Sequence, residues 1–117
     1  VIDDDDGIVN LITKSLTKSG YSVTGYTNPM ERLEAFYETP EEFDLVITDI
    51  NMPDINGLEL VSFIRNNENY KESPLIIIST ESSERDREKG MALGANAYLV
   101  KPFAPDQLQK LIREYLP

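Results

Sequence analysis

The run Leu75-Ile76-Ile77-Ile78 constrains this chain more than any other stretch. Four apolar, mostly β-branched residues without polar alternation describe a strand covered on both faces. Shorter runs of the same kind stand at Val1-Ile2, Tyr21–Tyr26, Leu45–Thr48 and Ala97–Val100. Between them the apolar residues take helical spacing, as in Leu11, Ile12, Leu16, then Leu60, Val61, Ile64, then Leu108, Leu111, Ile112. Asn28-Pro29-Met30-Glu31 has a cap, a first-turn proline and an acid in place for a helix start. Gly20 closes the first helix, and Pro40 and Pro74 punctuate loops. The fourth helical segment, Ser83–Leu93, is poor in apolar residues and carries Gly90 inside it. The sequence thus predicts five strands alternating with five helices. Strands joined through helices run parallel with right-handed crossovers, so helices cover both faces of one sheet in an α/β, doubly wound domain. Val1-Ile2 is shorter than the usual ~5–6 residues of a strand, so the first strand is expected to begin before Val1.

Composition narrows the chemistry. With 117 residues the chain is one domain, spanning 1–117. It has neither cysteine nor histidine, which removes disulfide scaffolds, thiol nucleophiles, zinc sites and imidazole catalysis together. A metal must then sit on oxygen, which favours magnesium, manganese or calcium. A formal net charge of −10 argues against binding nucleic acid or an anionic membrane directly. No apolar run has the length of a membrane helix, and a cytoplasmic location is expected.

In an open parallel sheet, ligands bind outside the carboxyl ends of the strands. Strand one ends in Asp3-Asp4, strand three in Asp49, strand four in Ser79-Thr80 and strand five in Lys101-Pro102. One edge therefore gathers carboxylates, a hydroxyl and an ammonium. Two like charges about 4 Å apart repel by roughly 4 kcal/mol at an effective dielectric of 20. A hard divalent cation on Asp4, Asp49 and a backbone carbonyl would relieve that repulsion. Asp5 and Asp6 read instead as solvated first-turn residues favoured by the helix dipole. Singly, Ser79 reads as a strand-end hydroxyl, Tyr98 as a half-buried aromatic and Lys101 as an exposed turn lysine. Their arrival at one edge is the specific feature.

These residues resemble the receiver domain of bacterial two-component response regulators, and the single-domain chemotaxis regulators in particular. Thr48-Asp49-Ile50-Asn51-Met52-Pro53-Asp54-Ile55-Asn56-Gly57-Leu58 is similar to the family's phosphoacceptor block. Val1-Ile2-Asp3-Asp4-Asp5 is similar to its acidic pair, and Gly94 to Phe103 to its fifth strand. The resemblance implies a five-stranded flavodoxin-like sheet of order 2-1-3-4-5. It implies that Asp49 accepts a phosphoryl group from a histidine kinase or histidine phosphotransfer protein. Mg²⁺, or Mn²⁺, would sit on Asp4, Asp49 and the Asn51 carbonyl, with Asp3 acting through a water. Ser79 and Lys101 would bind the phosphoryl oxygens, and Ser79 with Tyr98 would switch the surface of the fourth helix, fifth strand and fifth helix for an output partner. Asn51, Thr80 and Glu81 would tune dephosphorylation. Such a domain is not an enzyme acting on other molecules, since it catalyses only its own phosphorylation and dephosphorylation. The Lys101–Pro102 peptide is expected to be cis.

The chain departs from the family in lacking an arginine early in the first helix and in carrying Thr80, which narrows access to the phosphoryl group. A receiver that docks without phosphorylation is one alternative. A haloacid-dehalogenase-type phosphatase is another, but it wants a second acid where this chain has Asn51. A flavodoxin-like cofactor binder lacks support from any glycine-rich phosphate loop.

Overall fold

The computed structural model describes residues 1–27, 43–52, 55–66, 70, 72–80 and 84–116. In chain order these form α1 (Asp6–Lys18), β1 (Val46–Asp49), β2 (Asn51–Met52), β3 (Ile55–Asn56), α2 (Gly57–Asn66), β4 (Leu75–Ser79), α3 (Glu84–Ala92), β5 (Ala97–Val100) and α4 (Pro105–Tyr115). The helix expected from Asn28 lies outside the described residues, as do Pro40, Pro53, Glu81 and Ser83.

The Leu75–Ser79 segment is the central strand, and all five of its residues are buried. It pairs in parallel with β1, from Val46 opposite Leu75 to Asp49 opposite Ile78. On its other side it pairs in parallel with β5, from Ile76 opposite Ala97 to Ser79 opposite Val100. Beyond β1, Ile2 forms parallel bridges to both Thr48 and Tyr26. The lateral sequence is therefore Tyr26, Ile2, β1, β4, β5, which is the order 2-1-3-4-5. Of the Tyr21–Tyr26 run only Tyr26 joins this ladder. The Thr24 carbonyl accepts from the Val1 amino group at 3.0 Å, and the Tyr26 amide donates to the Val1 carbonyl at 2.8 Å. The antiparallel pairing of β2 with β3, Asn51 opposite Asn56 and Met52 opposite Ile55, is an element the sequence pattern did not predict.

Alternate residues of the strands feed two cores. Leu75 and Ile77 join Ile2, Leu60, Val61, Ile64, Tyr70 and Tyr98 on the face covered by α2 and α3. Ile76, Ile78 and Ile47 join Ile12, Leu16, Leu108 and Ile112 on the face covered by α1 and α4. Asp5 caps α1, its Oδ1 accepting from the Gly7 and Ile8 amides at 2.8 and 3.3 Å. This bears out its reading as a helix-start acid.

Gly90 has a packing role. It is the buried residue of α3. A Cβ there would come within 2.6 Å of Ile77 Cδ1 and 3.7 Å of the Tyr98 ring. Its absence lets a helix with almost no apolar stripe lie close to the sheet. At the far end of α3 the chain turns through Gly94 at φ +112° and is fastened by Arg65. The guanidinium donates to the carbonyls of Gly94 (2.7 Å), Tyr70 (3.1 Å) and Ser73 (2.5 Å) and to Asn96 Oδ1 (2.5 Å). Asn96 Oδ1 also accepts the Leu75 amide at 2.9 Å. Burial pushes the Arg65 guanidinium down from its ordinary value, but at neutral pH it stays charged.

Arg65→Met removes four donations, two of them in part-buried surroundings. We expect a loss of about 2 kcal/mol of stability, read as a lower urea midpoint at unchanged slope.

Candidate functional site

The carboxyl-end edge of the sheet holds a buried charge cluster. Asp3 is 0 % and Asp49 2 % exposed, yet both are held close to one ammonium. Lys101 Nζ lies 2.8 Å from Asp3 Oδ2 and 3.3 Å from Asp49 Oδ2. The second oxygen of Asp3 accepts the Asp5 amide at 2.9 Å. The main chain sets these positions. The Asp49 amide donates to the Ile2 carbonyl at 2.8 Å, and the Asp3 amide to the Tyr26 carbonyl at 3.1 Å. The Lys101 amide donates to the Ser79 carbonyl at 2.7 Å, which ties the end of β5 to the end of β4. Lys101–Pro102 is cis, as expected. The Thr48 hydroxyl, fully buried, donates to the Asp49 carbonyl at 3.0 Å.

Two opposing effects act on Lys101. Burial pushes its ammonium down, and the hydrogen bond to Asp3, the Asp3 charge and the Asp49 charge push it up. The carboxylates win, so its pKa lies above the ordinary value.

Asp3, Asp4 and Asp49 can each offer a carboxylate oxygen such that the three atoms lie within 4.8 Å of one another. This all-oxygen set suits a hard divalent cation. The two oxygens of Asp3 are already engaged by Lys101 and the Asp5 amide, while Asp4 is exposed and turned to solvent. Asn51 opens β2 two residues after Asp49, and Glu81 lies outside the described residues. Ser79 is fully buried at the end of β4, and Thr80 after it is exposed. Tyr98 is 8 % exposed, with its ring inward toward Gly90.

The edge thus brings Asp3, Asp4, Asp49, Ser79 and Lys101 together as the strand ends require. Two contacts were not legible beforehand: the lysine is nearer to Asp3 than to Asp49, and Thr48 holds the Asp49 carbonyl. A hydroxyl next to the acid was the one available clue to the second.

Lys101→Met would leave two buried carboxylates without their counter-charge, and we expect a cost of about 3 kcal/mol in metal-free buffer. A raised lysine pKa contributes stability in full below the unfolded value, near 10.5, and loses it as pH rises through the folded value. Urea unfolding at pH 8 and above pH 11 should therefore show the gap between wild type and Lys101→Met narrowing at the higher pH.

With this geometry in place, the likeness to known proteins is informative. Residues 1–113 match the family model described as the response regulator receiver domain. The chain is 32% identical over 117 residues to the "Chemotaxis protein CheY homolog" of Campylobacter jejuni, covering 99% of this chain and 89% of that protein. It is 33% identical to "Chemotaxis protein CheY1" of Helicobacter pylori, covering 99% and 94%. It is 34% identical to "Transcriptional regulatory protein GltR" of Pseudomonas aeruginosa, where it covers 99% of this chain but 47% of the relative. The chemotaxis response regulator CheY4 of Vibrio cholerae superposes with a TM-score of 0.88 at 33% identity, covering 97% of this chain and 93% of that one. The buried Asp3–Asp49–Lys101 edge, the sheet order and the match over residues 1–113 lead to one assignment: this chain belongs to the response regulator receiver family.

Proposed function

We propose that Asp49 is the phosphoacceptor and that the domain takes a phosphoryl group from a phosphohistidine on a histidine kinase or phosphotransfer protein. The single observation that carries this is the placement of Asp49, buried at a strand end, 3.3 Å from the Lys101 ammonium and beside two further acids. One Asp49 oxygen attacks phosphorus in line, the phosphorus–nitrogen bond breaks, and the electron pair leaves with the imidazole. Lys101 neutralises a phosphoryl oxygen, and the Ser79 hydroxyl donates to another. Asp4, Asp49 and the Asn51 carbonyl would hold Mg²⁺ directly, with Asp3 acting through a water. When bound, the cation supplies further neutralisation of charge on the transferring group.

The same residues suggest how the signal leaves the site. The phosphoryl group adds roughly −1.5 to −2 charge beside Lys101. Ser79 gains a charge-assisted hydrogen bond by closing on it. Tyr98, on the strand next to Ser79, takes the space behind, and the surface of α3, β5 and α4 changes for an output partner. Tyr98 already lies inward here, so in this chain the switch acts by fixing that position. By the family resemblance Asn51, Thr80 and Glu81 set the phosphoryl lifetime, with Thr80 crowding the approach of water.

Acetyl phosphate with Mg²⁺ should add one phosphoryl group by mass spectrometry, and Asp49→Asn should abolish the addition. Labelling of the Asn variant at the wild-type rate would move the acceptor elsewhere. Loss of the Ser79 hydroxyl removes a charge-assisted bond worth about 1.5 kcal/mol, so Ser79→Ala should slow labelling roughly tenfold. Beryllofluoride with Mg²⁺ should shift the Tyr98 ring resonances by NMR in wild type and not in Ser79→Ala. Identical responses would separate Tyr98 from the switch.

A further inference from the structure

Every residue of β1, Val46-Ile47-Thr48-Asp49, is buried. Val46 belongs to the core under α2 and α3, and Ile47 to the core on the other face. Alternation returns Thr48 to the face of Val46, where it is 0 % exposed. Valine has the same branched shape and brings no polar atom to such a position. A buried hydroxyl is unfavourable there unless it is hydrogen-bonded. The Thr48 hydroxyl donates to the Asp49 carbonyl at 3.0 Å, so its presence is tied to the main chain of the acid beside it.

That carbonyl stands at a change of direction. The Asp49 amide is held by the Ile2 carbonyl at 2.8 Å, and β1 ends with this residue. From Asn51 the chain runs in the antiparallel β2–β3 pair, with Asn51 opposite Asn56. A peptide unit is planar and stiff, so holding the Asp49 carbonyl also fixes the direction in which Ile50 departs.

We propose that Thr48 is a positioning residue for the cation site: its hydroxyl holds the peptide between Asp49 and Ile50 and thereby sets the Asn51 carbonyl relative to the Asp49 carboxylate. The role rests on the reading of Asp4, Asp49 and the Asn51 carbonyl as the Mg²⁺ ligands. Mg²⁺ demands a near-ideal octahedron with bonds of about 2.0–2.1 Å. Two ligands two residues apart on one chain meet that demand when the backbone between them is fixed. Lys101, 3.3 Å away, anchors the Asp49 side chain, and the Thr48 hydroxyl anchors its main chain. Thr48 itself touches neither the cation nor the phosphoryl group.

Two substitutions separate this role from packing. Thr48→Val keeps the branched shape and removes the hydrogen bond. Thr48→Ser keeps the hydroxyl and removes a methyl group from the core, which lowers stability. The test is calorimetric titration of Mg²⁺ into wild type and both variants, with urea unfolding of each in metal-free buffer. Thr48→Val should bind Mg²⁺ about tenfold more weakly, the ordinary effect of losing a group that orients a metal ligand. Thr48→Ser should bind within about twofold of wild type, yet unfold at a urea midpoint no higher than that of Thr48→Val. Affinity that follows stability across the two variants would make Thr48 a packing residue and overturn the proposal. Wild-type binding matched by Thr48→Val would overturn the role of Thr48 alone. Absence of Mg²⁺ binding by wild type would overturn the cation reading and the role of Thr48 with it.

Discussion

Two carboxylates with almost no access to water share one ammonium, and the rest of this domain is arranged around that fact. Asp3 and Asp49 come from different strands, and Lys101 from a third segment beyond the last strand. Buried charges of this kind cost several kcal/mol each unless they are paired and hydrogen-bonded. The sheet order supplies the pairing, since only adjacent parallel strands deliver their ends to the same point. The ladder bonds between Asp49 and Ile2, and between Lys101 and Ser79, then hold each backbone where the charges need it. Three acids with one lysine still leave an excess of negative charge. That excess is what makes the edge receptive to a cation and selective in what it will let approach.

The apolar cores follow from the same sheet. Because β4 is buried on both faces, its residues must be apolar up to Ile78, and the first polar group it can present is Ser79 at its end. Function therefore begins where burial stops being satisfied by hydrocarbon. The two cores also explain why the edge is rigid: each strand that contributes a charged group is packed from above and below by helices.

Much of this was legible in the sequence, for a definite reason. Strands alternating with helices imply parallel topology, and parallel topology converts strand ends into a site, so Asp3, Asp49, Ser79 and Lys101 could be grouped from the sequence. What escaped were contacts that depend on distance rather than period. Arg65 sits in the last turn of a helix, where a basic residue ordinarily faces solvent and complements the dipole. Nothing in its neighbours reveals that it reaches four acceptors. Gly90 looked like a weakness in a polar helix, whereas its missing side chain is what brings that helix against Ile77.

The Arg65 fastening gives α3 a mechanical character. Its carboxyl end is pinned through Gly94 and Asn96 to α2 and the start of β4, while its amino end points toward the edge where Thr80 lies. The helix is therefore a lever with a fixed fulcrum. Nine residues at 1.5 Å each give an arm of about 13 Å, so a tilt of about 10° carries the free end by about 2 Å and leaves the pinned end in place. A tilt about that fulcrum is largest beside the charged edge and vanishes at the clasp.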